Sequence, residues 1–198
     1  MSLVLGLTGS IGMGKSTATG FFREAGVPVW DADSAVHDLY APGGGAVAPL
    51  TALHPKALRD GAIDRSALRD WIAADPNALR QIEAIVHPLV AQSRATFLRH
   101  NAAAPLVVLD IPLLFEGAGA AHCDATLVVS APAEVQRARV LARPGMTEGH
   151  FATILSKQMP DAQKRALADH VIETLSLEQT RTEIRALIAR LTGQPLDA

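Results

Sequence analysis

The sequence predicts an α/β fold in which a parallel β-sheet is covered by helices. Three observations carry this reading. Short apolar runs rich in Val, Ile and Leu recur at Leu3–Leu7, Val27–Trp30, Leu106–Leu109, Ala125–Val129 and Val171–Ile172, as expected of strands buried on both faces. Stretches with charges at helical spacing separate them, the alternation that builds parallel sheets. A glycine-rich loop joins the first run to the first helix. With 198 residues, 48% hydrophobic and 19% charged, the chain has the composition of a folded α/β domain with room for an inserted subdomain.

Leu3–Leu7 is the first predicted strand. The opening "MSLVLGL" lacks a basic n-region and runs straight into the glycine loop, so it reads as strand and not as a signal peptide. The predicted helix Lys15–Ala25 is stopped by Gly26. Val27–Trp30 follows as the second strand and ends in Asp31 and Asp33, with a helix around Ser34–Leu39. Roughly seventy-five residues then precede the next strand, far more than a crossover between parallel strands needs. Within them "APGGGAVAP" is a flexible entry, and "DRSALRDWIAAD" and "PNALRQIEAIVHPLVAQSRATFLRH" are helical in pattern. A helical insertion of this kind commonly shapes a substrate pocket. In "VHPLV", Pro88 is expected in the first turn of a helix that His87 opens. The third strand, Leu106–Leu109, carries Asp110 at its carboxyl end. After the fourth strand come a helix over Ala133–Ala142 and the turn "RPGMT"; after the fifth, a helix over Leu177–Leu191.

Bulk properties exclude several classes. A net charge of −2 gives no general attraction to nucleic acid or an anionic membrane. No apolar run approaches the ~20 residues that span a bilayer. The single cysteine, Cys123, cannot form an internal disulfide, and a reducing, cytoplasmic setting is expected.

The chemistry begins at "GSIGMGKST", which matches G-x-x-x-x-G-K-[ST] through Gly9, Gly14, Lys15 and Ser16. In such a P-loop the backbone amides across Ile11, Gly12, Met13, Gly14 and Thr17, with the following helix N-terminus, hold phosphate oxygens. Lys15 reaches the β- and γ-phosphates, and the Ser16 hydroxyl coordinates Mg²⁺. The motif implies a nucleoside triphosphate. A GTPase would also need D-x-x-G and N-K-x-D strings, and neither occurs. Asp110 either supports the Mg²⁺ shell through water or is a strand-end residue tied to backbone amides.

Ligands of open α/β sheets bind at the carboxyl ends of strands. Asp31 and Asp33 end the second strand, and in an extended segment residues i and i+2 face the same way. A carboxylate there can orient an acceptor hydroxyl and take its proton. Equally, Asp33 can be the N-cap of the next helix.

At this point "LTGSIGMGKST", "VWDAD", "IVHPLV", "LDIPLLFEG" and "KQMPDAQKRALADHVI" occur in the order and spacing of the dephospho-coenzyme A kinases, and the chain resembles that family from Leu5 to Ile172. The resemblance implies a nucleoside-monophosphate-kinase-like P-loop fold with a five-stranded parallel sheet, a helical CoA-binding insertion and a lid. Within a single kinase domain the expected boundaries are 1–33, 104–136 and 166–198 for the nucleotide-binding core, 34–103 for the insertion and 137–165 for the lid. It implies transfer of the ATP γ-phosphate to the ribose 3′-hydroxyl of dephospho-CoA, the last step of coenzyme A synthesis, by a cytoplasmic monomer or weak homo-oligomer. The second acid of the D-A-D string, Asp33, becomes the expected base and Asp31 its scaffold. Thr8, Arg65 and His87 become substrate contacts, although Arg65 also reads as a solvent-facing arginine and His87 as a structural residue.

The lid reading rests on "QRARVLARPGMTEGHFATILSKQM". Gln136, Arg139 and Arg143 are spaced i, i+3 and i+7 for one helix face. Arg139 and Arg143 are the candidates to stabilise the charge of the transferring phosphoryl group, with "RPGMT" as hinge. Lys157 and Lys164 read as surface residues, although Lys164 matches a family position. Two departures from the family pattern stand out. Ser10 and Met13 occupy loop positions that are often Gly and Ser. "VIETLS" has Thr174 and no glycine where an Asn and a Gly usually flank the adenine.

Overall fold

The structure is a computed structural model that describes residues 2–193. In chain order its elements are β1 (Leu3–Thr8), α1 (Lys15–Glu24), β2 (Val29–Asp31), α2 (Ala32–Tyr40), α3 (Val47–Leu53), β3 (Leu58–Arg59), β4 (Ala62–Ile63), α4 (Arg65–Ala74), α5 (Ala78–His100), β5 (Leu106–Asp110), β6 (Ala125–Ser130), α6 (Ala133–Leu141), α7 (Glu148–Leu155), α8 (Asp161–Leu167), β7 (His170–Glu173) and α9 (Leu177–Thr192). They form two compact units, one containing residues 2–30 and 101–193 and the other Asp31–His100. Among the described residues no helix is long and apolar enough to cross a membrane.

All five predicted strands join one sheet in the order β2-β5-β1-β6-β7. β1 runs parallel to β5 with Leu5 opposite Val108, and parallel to β6 with Leu7 opposite Leu127. β6 runs parallel to β7. At the edge, the Val108 N–H donates to the Pro28 carbonyl at 2.9 Å. Every residue of β5 is buried, which explains why its sequence shows no polar alternation. The core gathers Leu5, Leu7, Val108, Leu127, Val129 and Ile172 from the strands with Phe21 and Phe22 of α1 and Ile184, Leu187 and Ile188 of α9. Phe22 alone, fully buried, is worth about 3 kcal/mol or more against truncation. α1 ends as the sequence predicts: Gly26 takes the left-handed φ of +76° and its N–H returns to Arg23.

The strand order positions the chemistry. From β1 the chain crosses toward β2, and from β5 it crosses to β6 on the other side of β1. The carboxyl ends of β1 and β5 therefore flank a topological switch point, where ligands of open α/β sheets bind.

The unit Asp31–His100 is helical with its own core of Leu50, Ile63, Leu68, Ile82 and Val86. It differs from expectation in two places. A two-residue hairpin joins β3 to β4, with Asp60 at φ 51° and Gly61 at φ +79°. This is the Asp-Gly turn that suits a tight hairpin, and the helical reading of the insertion passes over it. His87 and Pro88 do not open a helix: both lie inside the 23-residue α5. An interior proline costs about 3 kcal/mol. α5 offsets this by burying Ala78, Ile82 and Val86.

Candidate active site

The loop from Gly9 to Gly14 follows β1 and becomes the N-terminus of α1. Gly12 and Gly14 hold left-handed φ values of +78° and +87°. A Cβ on Gly14 would stand 2.8 Å from the Thr174 Oγ1, and one on Gly12 would stand 2.5 Å from the Val140 Cγ2. Glycine is therefore required at both positions, for conformation and for space. Gly14 precedes α1 and its side-chain-free cap leaves the first N–H groups of the helix without a side-chain acceptor, as a phosphate site needs. Ser16 is exposed at this end of the helix.

The Lys15 Nζ stands 2.5 Å from the Asp110 Oδ1. The other oxygen of Asp110 accepts the Thr19 hydroxyl at 2.6 Å. Asp110 is 1% and Thr19 2% exposed, so a cation and a hydroxyl neutralise a carboxylate that burial alone would disfavour. The strand-end acid is thus held by side chains of α1.

The two departures from the family pattern acquire a structural account. Met13 is buried, and its Sδ lies 3.1 Å from the Ala131 N–H; its side chain anchors the loop in the core and does not face phosphate. The Thr174 hydroxyl donates to the Met13 carbonyl at 2.9 Å and accepts from Arg139 at 3.0 Å, and Arg139 also donates to the Thr174 carbonyl. Thr174 thereby ties β7 to the loop and to α6. Ser10 is 4% exposed, and its hydroxyl has no partner among the described residues. Thr8 is fully buried with its hydroxyl on the Pro112 carbonyl at 2.9 Å.

Within the helical unit the two acids part company. Asp31 is the N-cap of α2, accepting the Ser34 N–H at 2.8 Å. Asp33 lies in the first turn of α2, exposed, and makes no hydrogen bond or ion pair among the described residues. Two expectations are corrected here: Asp31 is the cap, not Asp33, and the pair is not an extended i, i+2 couple because the helix begins at Ala32. Arg65 is the first residue of α4, exposed, with its guanidinium 5.6 Å from the Tyr40 ring centroid. Burial raises the Tyr40 pKa and the Arg65 charge partly opposes this. His87 is an exposed residue of α5.

The comparisons with known proteins agree with this loop and sheet. The family model described as dephospho-CoA kinase matches residues 3–179. The chain belongs to the dephospho-CoA kinase family. A dephospho-CoA kinase of Cereibacter sphaeroides is 62% identical over 187 residues, 94% of each chain. One of Jannaschia sp. is 60% identical over 192 residues, 97% of this chain and 98% of the other. A crystal structure from Thermus thermophilus, 38% identical, superposes with a TM-score of 0.84 over 97% of this chain and 99% of that one.

The segment of this family member read as lid holds further findings. α6 stops at Leu141 and Arg143 follows it in the turn, so the expected face of Gln136, Arg139 and Arg143 does not run through one helix. Gly145 in that turn has φ +75°. Arg143 is exposed and has no ion-pair or hydrogen-bond partner among the described residues. Arg137, not singled out from sequence, pairs with Glu148 and joins α6 to α7. Lys164 is not a surface residue: it is fully buried, 2.9 Å from the Glu116 Oε1 and 3.4 Å from the Pro112 carbonyl. The same oxygen of Glu116 accepts the Met159 N–H at 2.8 Å. Burial pushes the Glu116 carboxyl up, but the hydrogen bonds from Lys164 and Met159 outweigh it and hold the pKa below its ordinary value.

Sequence reasoning missed Thr19, Glu116 and Gln158, and named Gln136 as part of a lid face without its bond to Ile11. Thr19 was detectable: four residues after Lys15 on α1, it shares a helix face with the P-loop lysine. Glu116 lies in "LDIPLLFEG", yet nothing local shows that the buried Lys164, far along the chain, would need it.

Proposed function

We propose that this chain transfers the γ-phosphate of ATP to the ribose 3′-hydroxyl of dephospho-CoA, giving CoA and ADP in the cytoplasm. The family assignment together with a P-loop at the switch point of the sheet carries this reading.

Each proposed role follows from the chemistry. The amides of Gly9, Gly12, Gly14, Lys15, Ser16 and Thr17 supply donors for the phosphate chain; the Ile11 N–H is taken by the Gln158 side chain and the Met13 N–H by the Ser10 carbonyl, so neither is counted among them. Lys15 exchanges its ion pair with Asp110 for contact with the β- and γ-phosphates, and carries positive charge to the bond that breaks. Asp33 accepts the proton of the 3′-hydroxyl as that oxygen attacks phosphorus; its exposed carboxylate, with no partner among the described residues, suits a base. Arg139 and the exposed Arg143 offset charge on the transferring group. Arg65 binds a phosphate of the acceptor. It sits at the N-terminus of α4, where a cation gains nothing from the helix dipole, so an anionic ligand would compensate it. His87 contributes to the same substrate from α5. Thr8 acts through the Pro112 carbonyl and not by touching substrate.

The residues present fit Mg²⁺. Among the described residues no cluster of three or more His, Cys, Asp or Glu could hold a metal. That suits an ion carried mainly by substrate phosphates and water, with the Ser16 hydroxyl as ligand and Asp110 as support through water. Bound there, Mg²⁺ supplies neutralisation of charge on the triphosphate.

The test is direct. Purified chain with MgATP should convert dephospho-CoA to CoA with stoichiometric ADP. Absence of that conversion, with robust phosphorylation of a nucleoside monophosphate, would overturn the substrate assignment.

A further inference from the structure

The tip of the phosphate loop is gripped from two directions. The Ile11 carbonyl accepts the side-chain amide of Gln136 at 2.8 Å, and the Ile11 N–H donates to the side-chain oxygen of Gln158 at 3.1 Å. The orientation of both amides is fixed by their partners, since a backbone carbonyl only accepts and a backbone N–H only donates. Gln136 lies on α6 and is 6% exposed. Gln158 lies beyond α7. The two glutamines therefore bracket the segment that contains the hinge turn and α7, and both close on one residue of the loop.

Each grip is itself held. Gly12 packs so closely on α6 that an added Cβ would stand 3.1 Å from the Gln136 carbonyl and 2.5 Å from the Val140 side chain. On the other side, Met159, next to Gln158, is fixed by its N–H on Glu116, which is anchored in turn by the buried Lys164. The backbone next to Gln158 is thus anchored, through Glu116, to a fully buried lysine.

We propose that Gln136 and Gln158 are positioning residues for the nucleotide: by clasping both sides of Ile11 they hold the phosphate loop in its receiving shape and couple that shape to both ends of the segment around α7. This rests on the reading that the loop binds ATP for transfer to dephospho-CoA. Neither glutamine needs to touch substrate. Loss of either releases the loop tip, so the effect falls on ATP and not on the acceptor. Both act on the same peptide, so their effects are not additive.

Full-length Gln136→Leu and Gln158→Leu, near in size but lacking the polar group, test this. Each is expected to raise the KM for MgATP about tenfold, as loss of the side-chain partner of a half-buried backbone group does. The KM for dephospho-CoA should stay within about twofold, and the double variant should lose less than the product of the singles. Unchanged ATP parameters in both singles, or equal losses for both substrates with a lowered Tm, would overturn the proposal. A second measurement does not depend on the kinase reading. Hydrogen exchange of the Ile11 amide in nucleotide-free protein should quicken about tenfold in Gln158→Leu and return to the wild-type rate in Gln158→Glu, which keeps an acceptor oxygen. Equal exchange in wild type and Gln158→Leu would sink the clasp even if the enzyme is active. If no form phosphorylates dephospho-CoA but the exchange pattern holds, the functional reading fails and the clasp stands.

Discussion

The Asp31 carboxylate accepts the backbone N–H of Ser34 at 2.8 Å, and this bond assigns one job to the first acid of the D-A-D string. Asp33, two residues on, keeps an exposed carboxylate. The pair should therefore separate by experiment. Asp31→Ala is expected to lower stability by about 1 kcal/mol through loss of the cap. Asp33→Asn is expected to leave stability near wild type and cut kcat about a hundredfold or more while ATP still binds. Urea unfolding and steady-state kinetics on both variants check this; unchanged turnover in Asp33→Asn would remove the base assignment.

Thr19 orients Asp110, which in turn holds Lys15. Thr19→Val keeps the shape and deletes the hydroxyl, removing one hydrogen bond from a buried carboxylate. The expected cost is about 1–3 kcal/mol in stability. A larger fractional loss in kcat/KM for ATP than for dephospho-CoA should accompany it. Thermal unfolding and substrate-resolved kinetics measure the two effects.

Glu116 and Lys164 give a pH-dependent prediction. Glu116→Ala leaves the buried Lys164 without its carboxylate while Glu116 itself is partly exposed, so a loss of about 1–3 kcal/mol is expected. The Glu116 pKa is lowered in the folded chain relative to 4.5. Its stabilisation is therefore fully present above that value and is lost as pH falls through the folded pKa. The stability gap between wild type and Glu116→Gln should be constant from neutral pH down to about pH 5 and shrink below it. Denaturant titrations at a series of pH values would show the narrowing; a gap that widens on acidification contradicts the assignment.

Arg143 stands in the turn after α6 with no protein partner among the described residues. Arg143→Ala is expected to leave Tm unchanged and lower kcat about tenfold or more, in the range of a charge that acts on the transferring phosphoryl group. Wild-type kcat and KM in that variant would withdraw its catalytic role.

Much of this was legible because it is local. The five apolar runs became the five strands of one sheet, since strands buried on both faces leave an unbroken apolar signature. Gly26 ended α1, and the P-loop formed where its glycines permit positive φ. Less local signals misled. Pro88 suggested a helix start, but packing of Ile82 and Val86 carried α5 through it. Asp-Gly at 60–61 announced a hairpin that the helical pattern around it obscured.

The sequence by itself determined the sheet, the phosphate loop and the family, because backbone conformation and apolar periodicity are written in neighbouring residues. Tertiary structure decided which polar groups meet. It buried Lys164 against Glu116, set Thr174 under Gly14, closed two glutamines on Ile11, and made Asp31 the cap in place of Asp33. Buried polar groups must find partners wherever the fold brings them, and those partners lie too far apart in the chain for spacing alone to reveal.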